Sequence, residues 1–260
     1  MLIDTHCHLD AREFADDRDV VIDAARGTGV SRVVIPAVAP ENWPAVRACC
    51  QRYSGCFPAY GIHPLYLDQI DESADLFSLQ QWLRDEIAGE FPPVAVGEIG
   101  LDFFVPGFDA ALQERVYLAQ LKLARDLDLP VLLHVRRSID QVLKGLRRIG
   151  VTGGIAHAFN GSRQQADEFI RLGFKLGFGG AMTYPGSTRI RQLAASLPIG
   201  SIVLETDAPD IPPVWLAGQR NAPAELASIA QVLADLRSVP LHEIREATTN
   251  NANSVLRGFC

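Results

Sequence analysis

The chain has 260 residues, 48% of them hydrophobic and 21% charged, with 24 Lys and Arg against 31 Asp and Glu for a net charge of −7. A chain this apolar buries a large core, which excludes intrinsic disorder, and roughly 250 residues is the usual size of one α/β barrel; one domain over residues 1–260 is expected. The acidic balance argues against an open basic groove that holds nucleic acid by phosphate neutralisation alone, although bound divalent cations reverse the sign of a carboxylate-lined pocket.

From the first residues onward, short β-branched runs alternate with amphipathic stretches. In chain order the pattern predicts strands over Leu2–His6, Arg32–Ala37, Pro58–Ile62, Val94–Glu98, Val131–His134, Gly153–His157, Phe174–Gly177 and Ile202–Thr206. Helical periodicity lies between them in Val20–Arg26, Ala110–Asp126, Ile139–Arg148, Arg163–Leu172 and Ala222–Arg237. Alternating β and α implies parallel strands, and eight units of a little over 30 residues fill the chain, so the expected fold is an α/β, TIM-like (β/α)8 barrel. An open doubly wound sheet would carry a Gly-rich first turn, where Asp4-Thr5-His6-Cys7-His8 stands instead. No linker or low-complexity tract divides the chain; Pro92-Pro93 and Pro212-Pro213 mark rigid loops.

Cys7, Cys49, Cys50, Cys56 and Cys260 are odd in number without paired spacing, and are read as reduced. No apolar run approaches the roughly 18 residues that span a bilayer, and the opening residues lack the basic and apolar regions of a signal peptide. A soluble cytoplasmic protein is expected, without membrane association, as a monomer or weak oligomer.

The chemistry gathers at strand ends. His6-Cys7-His8 closes the first apolar run, and side chains two apart on a strand share a side, so both imidazoles reach one cation. Alone, such a pair is equally well a histidine pair bonded to backbone or exposed. Glu98, His134, His157 and Asp207, however, each lie at or near the end of a similar apolar run. Burying such groups unpaired costs roughly 2 to 7 kcal/mol each, which packing does not offset and metal ligation does. Four imidazoles and two carboxylates exceed one tetrahedral zinc site and fit two cations about 3.5 to 4 Å apart, bridged by Glu98. The donors suit zinc or manganese, and magnesium if water completes the shell.

These residues fall in Asp4-Thr5-His6-Cys7-His8-Leu9-Asp10, Gly61-Ile62-His63-Pro64, Gly97-Glu98-Ile99-Gly100-Leu101-Asp102, His134-Val135-Arg136-Arg137, His157-Ala158-Phe159-Asn160-Gly161-Ser162, Leu204-Glu205-Thr206-Asp207-Ala208-Pro209 and Asn250-Asn251-Ala252-Asn253. Together they resemble the TatD-type metal-dependent deoxyribonucleases, amidohydrolase-like barrels, and among them the YjjV-like branch. The resemblance implies phosphodiester hydrolysis at a one- or two-metal site, removing nucleotides from DNA 3′ ends; the sequence carries no basic cluster for long duplex, so DNA ends or short single-stranded DNA are the expected substrate. It places His6, His8 and Asp207 on one metal, His134 and His157 on the other, and Glu98 between them. Where the family often reads His-Ser-Arg and His-Cys-Phe, this chain has His134-Val135-Arg136 and His157-Ala158-Phe159, which removes no ligand. Asp207 is the candidate to orient the attacking water and move its proton, and Glu98 is its catalytic partner as bridge.

Other residues keep two readings. His63 is a phosphate or base contact, or a loop histidine. Arg136 and Arg137 suit bidentate phosphate recognition, with one of them facing solvent. Glu205 shares a side with Asp207 if the strand stays regular, and is placed behind the ligands rather than among them. Asp102 anchors the loop after Glu98 or is a surface aspartate. Asn160-Gly161-Ser162 caps a helix in preference to binding phosphate. Phe103, Phe104, Phe108 and Trp215 stack on unpaired bases or plug loops. Cys7 is read as packing. Three functions follow in order: a metal-dependent nuclease; a hydrolase of a small phosphoester, lactone or amide on the same barrel; and a metal-binding protein without turnover. The carboxylated lysine that bridges metals in some amidohydrolases has no counterpart, since Lys122, Lys144 and Lys175 lie elsewhere.

Overall fold

A computed structural model describes residues 1–258. The chain runs β1 (Leu2–Asp4), α1 (Arg18–Gly27), β2 (Val30–Pro36), α2 (Trp43–Arg52), β3 (Cys56–Tyr60), α3 (Glu72–Ile87), β4 (Ala95–Asp102), α4 (Ala110–Asp126) and β5 (Val131–Arg136). It continues α5 (Ile139–Ile149), β6 (Gly154–Ala156), α6 (Arg163–Arg171), β7 (Phe174–Phe178), α7 (Thr188–Ser196), β8 (Ile202–Leu204), α8 (Leu226–Arg237) and α9 (Leu241–Val255). The eight strands are parallel and neighbour one another in sequence order. Backbone bonds join the first strand segment to the last, among them Thr5 N–H to Leu204 O at 3.1 Å and Asp207 N–H to His6 O at 2.8 Å. The fold is a TIM-like (β/α)8 barrel.

Alternation along each strand produces two apolar layers. Ile3, Val34, Ala59, Ala95, Leu132, Ile155 and Val203 pack together with Ala252 of α9 and Leu256 just past it. The larger layer, which includes Val33, Ile35, Leu133 and Leu176, meets helix residues such as Val46, Val116, Val142 and Phe169. Ser162 caps α6 reciprocally, its Oγ accepting from Gln165 N–H at 3.2 Å while Gln165 Oε1 accepts from Ser162 N–H at 2.9 Å.

Several strand ends differ from the sequence pattern. β1, β6 and β8 stop at Asp4, Ala156 and Leu204, so His6, His8, His157, Glu205 and Asp207 lie beyond them. Periodicity marks apolar residues, but the backbone turns earlier: Ala158 and Asp207 have φ of +45° and +58°, and His8 N–H bonds to Ala208 O at 2.8 Å. β4 instead continues to Asp102, opposite Arg136 of β5. α8 begins at Leu226 rather than Ala222, because Pro223–Glu225 forms a 3-10 turn. Cys7, Cys49, Cys50 and Cys56 are free and buried; Cys260 lies outside the described residues. Among the described residues, no helix is long and apolar enough to cross a membrane.

Candidate metal centre

The C-terminal ends of the strands converge on Glu98. This residue lies within β4, whose residues are all buried, and is itself 2% exposed. Its two carboxylate oxygens face different groups. Oε2 is 3.2 Å from His6 Nε2 and 3.6 Å from His8 Nε2. Oε1 is 3.0 Å from His134 Nδ1, 2.9 Å from His157 Nε2 and 3.6 Å from His63 Nε2. On the Oε2 side, Asp207 Oδ1 is 3.5 Å from His6 Nε2 and 3.7 Å from His8 Nε2, and the two Nε2 atoms are 3.4 Å apart. His6 and His8 therefore meet, although the regular strand invoked for them ends at Asp4: both project from the turn that follows.

The donor set fits a divalent cation. Four atoms at about 2.0 to 2.1 Å from a tetrahedral zinc stand about 3.4 Å from one another. His6 Nε2 and His8 Nε2 lie 3.4 Å from each other and 3.2 to 3.7 Å from Asp207 Oδ1 and Glu98 Oε2. Oxygen and nitrogen lone pairs directed at one another in a buried space repel unless protons or a cation lie between them.

Electrostatics follow the same geometry. Burial disfavours a charged Glu98, yet His157, His6, His63 and the His134 hydrogen bond hold it well below the usual carboxylate range. Burial also disfavours charge on His157, but Glu98, Asp207 and Glu205 push it up to about 10. His6 stacks on His157 with ring centroids 4.0 Å apart, and is pushed down to about 4 by burial and by that neighbour. Without a cation, the proton thus resides on His157 in preference to His6.

Asp102 and Glu205 stand behind two imidazoles. Asp102 Oδ2 is 3.0 Å from His134 Nε2, while its Oδ1 accepts from Phe104 N–H at 2.8 Å and Val105 N–H at 3.1 Å. Its burial opposes ionisation, but these bonds, led by the one to His134, bring it down to about 2. A ligand histidine typically donates its second ring N–H to such a carboxylate, which fixes tautomer and orientation. Asp102 is buried, so the surface-aspartate reading is replaced.

Glu205 does not share a side with Asp207, because the strand has ended and Asp207 is left-handed. Its Oε1 accepts from Ala158 N–H and lies 3.8 Å from His157 Nδ1. Gly177 leaves the room, since a Cβ there would lie 2.1 Å from Glu205 Oε2.

His63 lies in the loop between β3 and the 3-10 turn Pro64–Gln69, but it is a buried loop histidine, 7% exposed. Its Nδ1 accepts from Leu65 N–H at 3.2 Å, and burial pushes its pKa down to about 3. The neutral ring then carries its hydrogen on Nε2, the atom facing Glu98. Although His63, Glu98 and His134 are close enough to surround an ion, this tautomer offers an N–H rather than a lone pair.

Asp4 is a positioning residue that the sequence pattern did not single out. It is buried among Thr206 N–H at 3.0 Å, Thr206 Oγ at 2.6 Å and His6 N–H at 3.3 Å, tying the turn bearing His6 to that bearing Asp207. A carboxylate ending the apolar run Leu2-Ile3 was the available signal. Asp207 side-chain atoms remain 13% exposed, and Arg136 and Arg137 are both exposed.

The sequence pattern of the family described as TatD related DNase matches residues 3–257. The chain belongs to the TatD family. It is 42% identical over 252 residues to the uncharacterized metal-dependent hydrolase YjjV of Escherichia coli K12, covering 96% of this chain and 95% of that one. The crystal structure of E. coli YjjV, a TatD homolog, superposes with a TM-score of 0.93 at 40% identity, over 98% of this chain and 97% of the other. TATDN3 of Mus musculus, whose name assigns it provisionally as a deoxyribonuclease, is 31% identical over 258 residues, 96% of this chain and 86% of that protein. As a TatD family member the chain is a metal-dependent hydrolase.

Proposed function

We propose that this TatD protein is a phosphodiesterase that removes nucleotides from DNA 3′ ends or short single strands with two divalent cations, of magnesium, manganese or zinc. The observation that carries the reading is the carboxylate of Glu98, one oxygen facing His6 and His8 and the other facing His134 and His157. In this reading His6, His8 and Asp207 hold one cation, His134 and His157 the other, and Glu98 is shared. When bound, the cations acidify water and stabilise negative charge on the attacking and leaving oxygens.

The protein's own groups supply orientation and proton movement. Asp207, partly exposed beside His6 and His8, orients the water and accepts its proton. His63 presents Nε2–H to a phosphoryl oxygen, the role that its tautomer leaves open. Asp102 and Glu205 hold His134 and His157 in place. Arg136 and Arg137 at the mouth neutralise phosphate.

The test uses metal-stripped protein reconstituted separately with the three cations, single-stranded DNA labelled at either end, bis(p-nitrophenyl) phosphate and an amide panel. Metal-dependent laddering from the 3′ end, absent in His134→Ala, is expected. Intact DNA alongside cleavage of a lactone, amide or small ester would replace this reading with the second one. Asp207→Asn should keep its metals and lose turnover; full turnover with both metals retained would remove its proton role.

A further inference from the structure

We infer that Phe104, with Arg136 and Arg137 packed on its ring, forms a subsite for the base and phosphate of an unpaired nucleotide adjoining the scissile bond; this rests on the phosphodiesterase reading. Phe104 sits in the loop after β4 and is 43% exposed, in a chain whose large apolar side chains are mostly buried. The Cζ atom of Arg136 lies 3.8 Å from its ring centroid, and that of Arg137 lies 4.5 Å away.

The metal centre fixes this group in place. Asp102 receives the Phe104 N–H through one oxygen and faces His134 Nε2 through the other. Phe103 N–H bonds to Arg136 O at 2.9 Å, which ties the loop to the end of β5. The stack is therefore one side chain removed from His134.

The two charges meet little negative charge. Several surface arginines are met by carboxylates, as Arg115 is by Glu72 at 2.9 Å and Arg52 by Asp19 at 2.7 Å, and others by neutral acceptors, as Arg189 is by Asn160 Oδ1 at 2.8 Å. Arg136 has only Asp102, at 4.0 Å, and Asp102 is already engaged by His134. Among the described residues Arg137 forms no ion pair, and its φ of +54° is a conformation that non-glycine residues seldom adopt. Two cations packed against one aromatic ring repel each other, and an anion that meets both relieves the repulsion. Guanidinium forks match phosphate oxygens, while ring and guanidinium planes stack on bases. A base in a duplex has both faces covered, so the ligand is an unpaired nucleotide.

A substrate–protein double-mutant cycle tests this on the metal-reconstituted enzyme. Single-stranded hexanucleotides are compared with versions carrying an abasic residue at the terminal or the penultimate position. For the wild type, one of these removals should raise KM about tenfold with kcat nearly constant. Phe104→Ala should raise KM about tenfold for the intact strand, and then gain no further loss from the abasic residue. Phe104→Trp should restore the base dependence, and Arg137→Gln should raise KM for both strands. Additive losses, an unchanged KM in Phe104→Ala, or a wild type indifferent to both abasic positions would overturn the subsite. If the wild type cleaves neither DNA nor bis(p-nitrophenyl) phosphate, the phosphodiesterase reading fails separately. The same cycle is then read as Kd by fluorescence anisotropy of labelled strands, where non-additivity supports the subsite and additivity overturns it.

Discussion

Asp4 offers the sharpest quantitative check on how the centre is built. Burial raises its carboxyl from 3.8 to about 7, despite hydrogen bonds from Thr206 and His6. A raised folded pKa means that the neutral acid is favoured on folding. Its contribution to stability is complete below 3.8 and is lost as pH rises through about 7. That interval of about three pH units, at about 1.4 kcal/mol per unit, makes ionised Asp4 cost the fold about 4 kcal/mol at pH 8 relative to pH 3. Asp4→Asn removes the titration. Its amide oxygen still accepts from the Thr206 and His6 N–H groups, while its NH2 replaces the oxygen beside Thr206 Oγ. That hydroxyl already accepts from Ala208 N–H at 3.2 Å. One hydrogen bond is rearranged, with a constant penalty of about 1 kcal/mol. Urea unfolding in EDTA, followed by circular dichroism from pH 5 to pH 8, should therefore show the variant gaining on the wild type by about 3 kcal/mol as pH rises. A difference that is flat in pH, or that grows in favour of the wild type, refutes the reasoning about Asp4.

Three further outcomes are expected. Glu98→Gln keeps the side-chain volume but leaves one amide oxygen in place of two anionic ones, so metal content by mass spectrometry should fall and hydrolysis be lost; full occupancy of the variant would disprove a shared carboxylate. Gly177→Ala drives a methyl into Glu205 and should cost about 1 to 3 kcal/mol by overpacking, with weaker metal retention, and an unchanged urea midpoint would contradict it. Burial pushes the thiols of Cys49 and Cys56 up to about 12, so they, with Cys7 and Cys50, should resist a thiol reagent at neutral pH until urea unfolds the chain. Stoichiometric labelling of any of the four in native protein counts against the packing.

The alternation of apolar runs established the eight-unit barrel, because strands that are buried on both faces read as apolar stretches and their helices as amphipathic ones. The polar residues His6, His8, Glu98, His134, His157 and Asp207 were equally visible, since each interrupts or follows such a run. Packing alone does not retain charge there. What periodicity does not encode is where a strand leaves the sheet. His6, His157, Glu205 and Asp207 lie past the strand ends, and backbone turns with positive φ at Ala158 and Asp207 set their directions. Only the tertiary structure therefore separated Glu205 from Asp207, turned His63 inward with its N–H toward Glu98, and placed Asp102 behind His134. It also brought Asp4 to Thr206, a contact between residues 202 positions apart. Sequence determines which groups are too costly to bury alone; the closure of the barrel decides which of them meet, because that depends on bonds between distant segments.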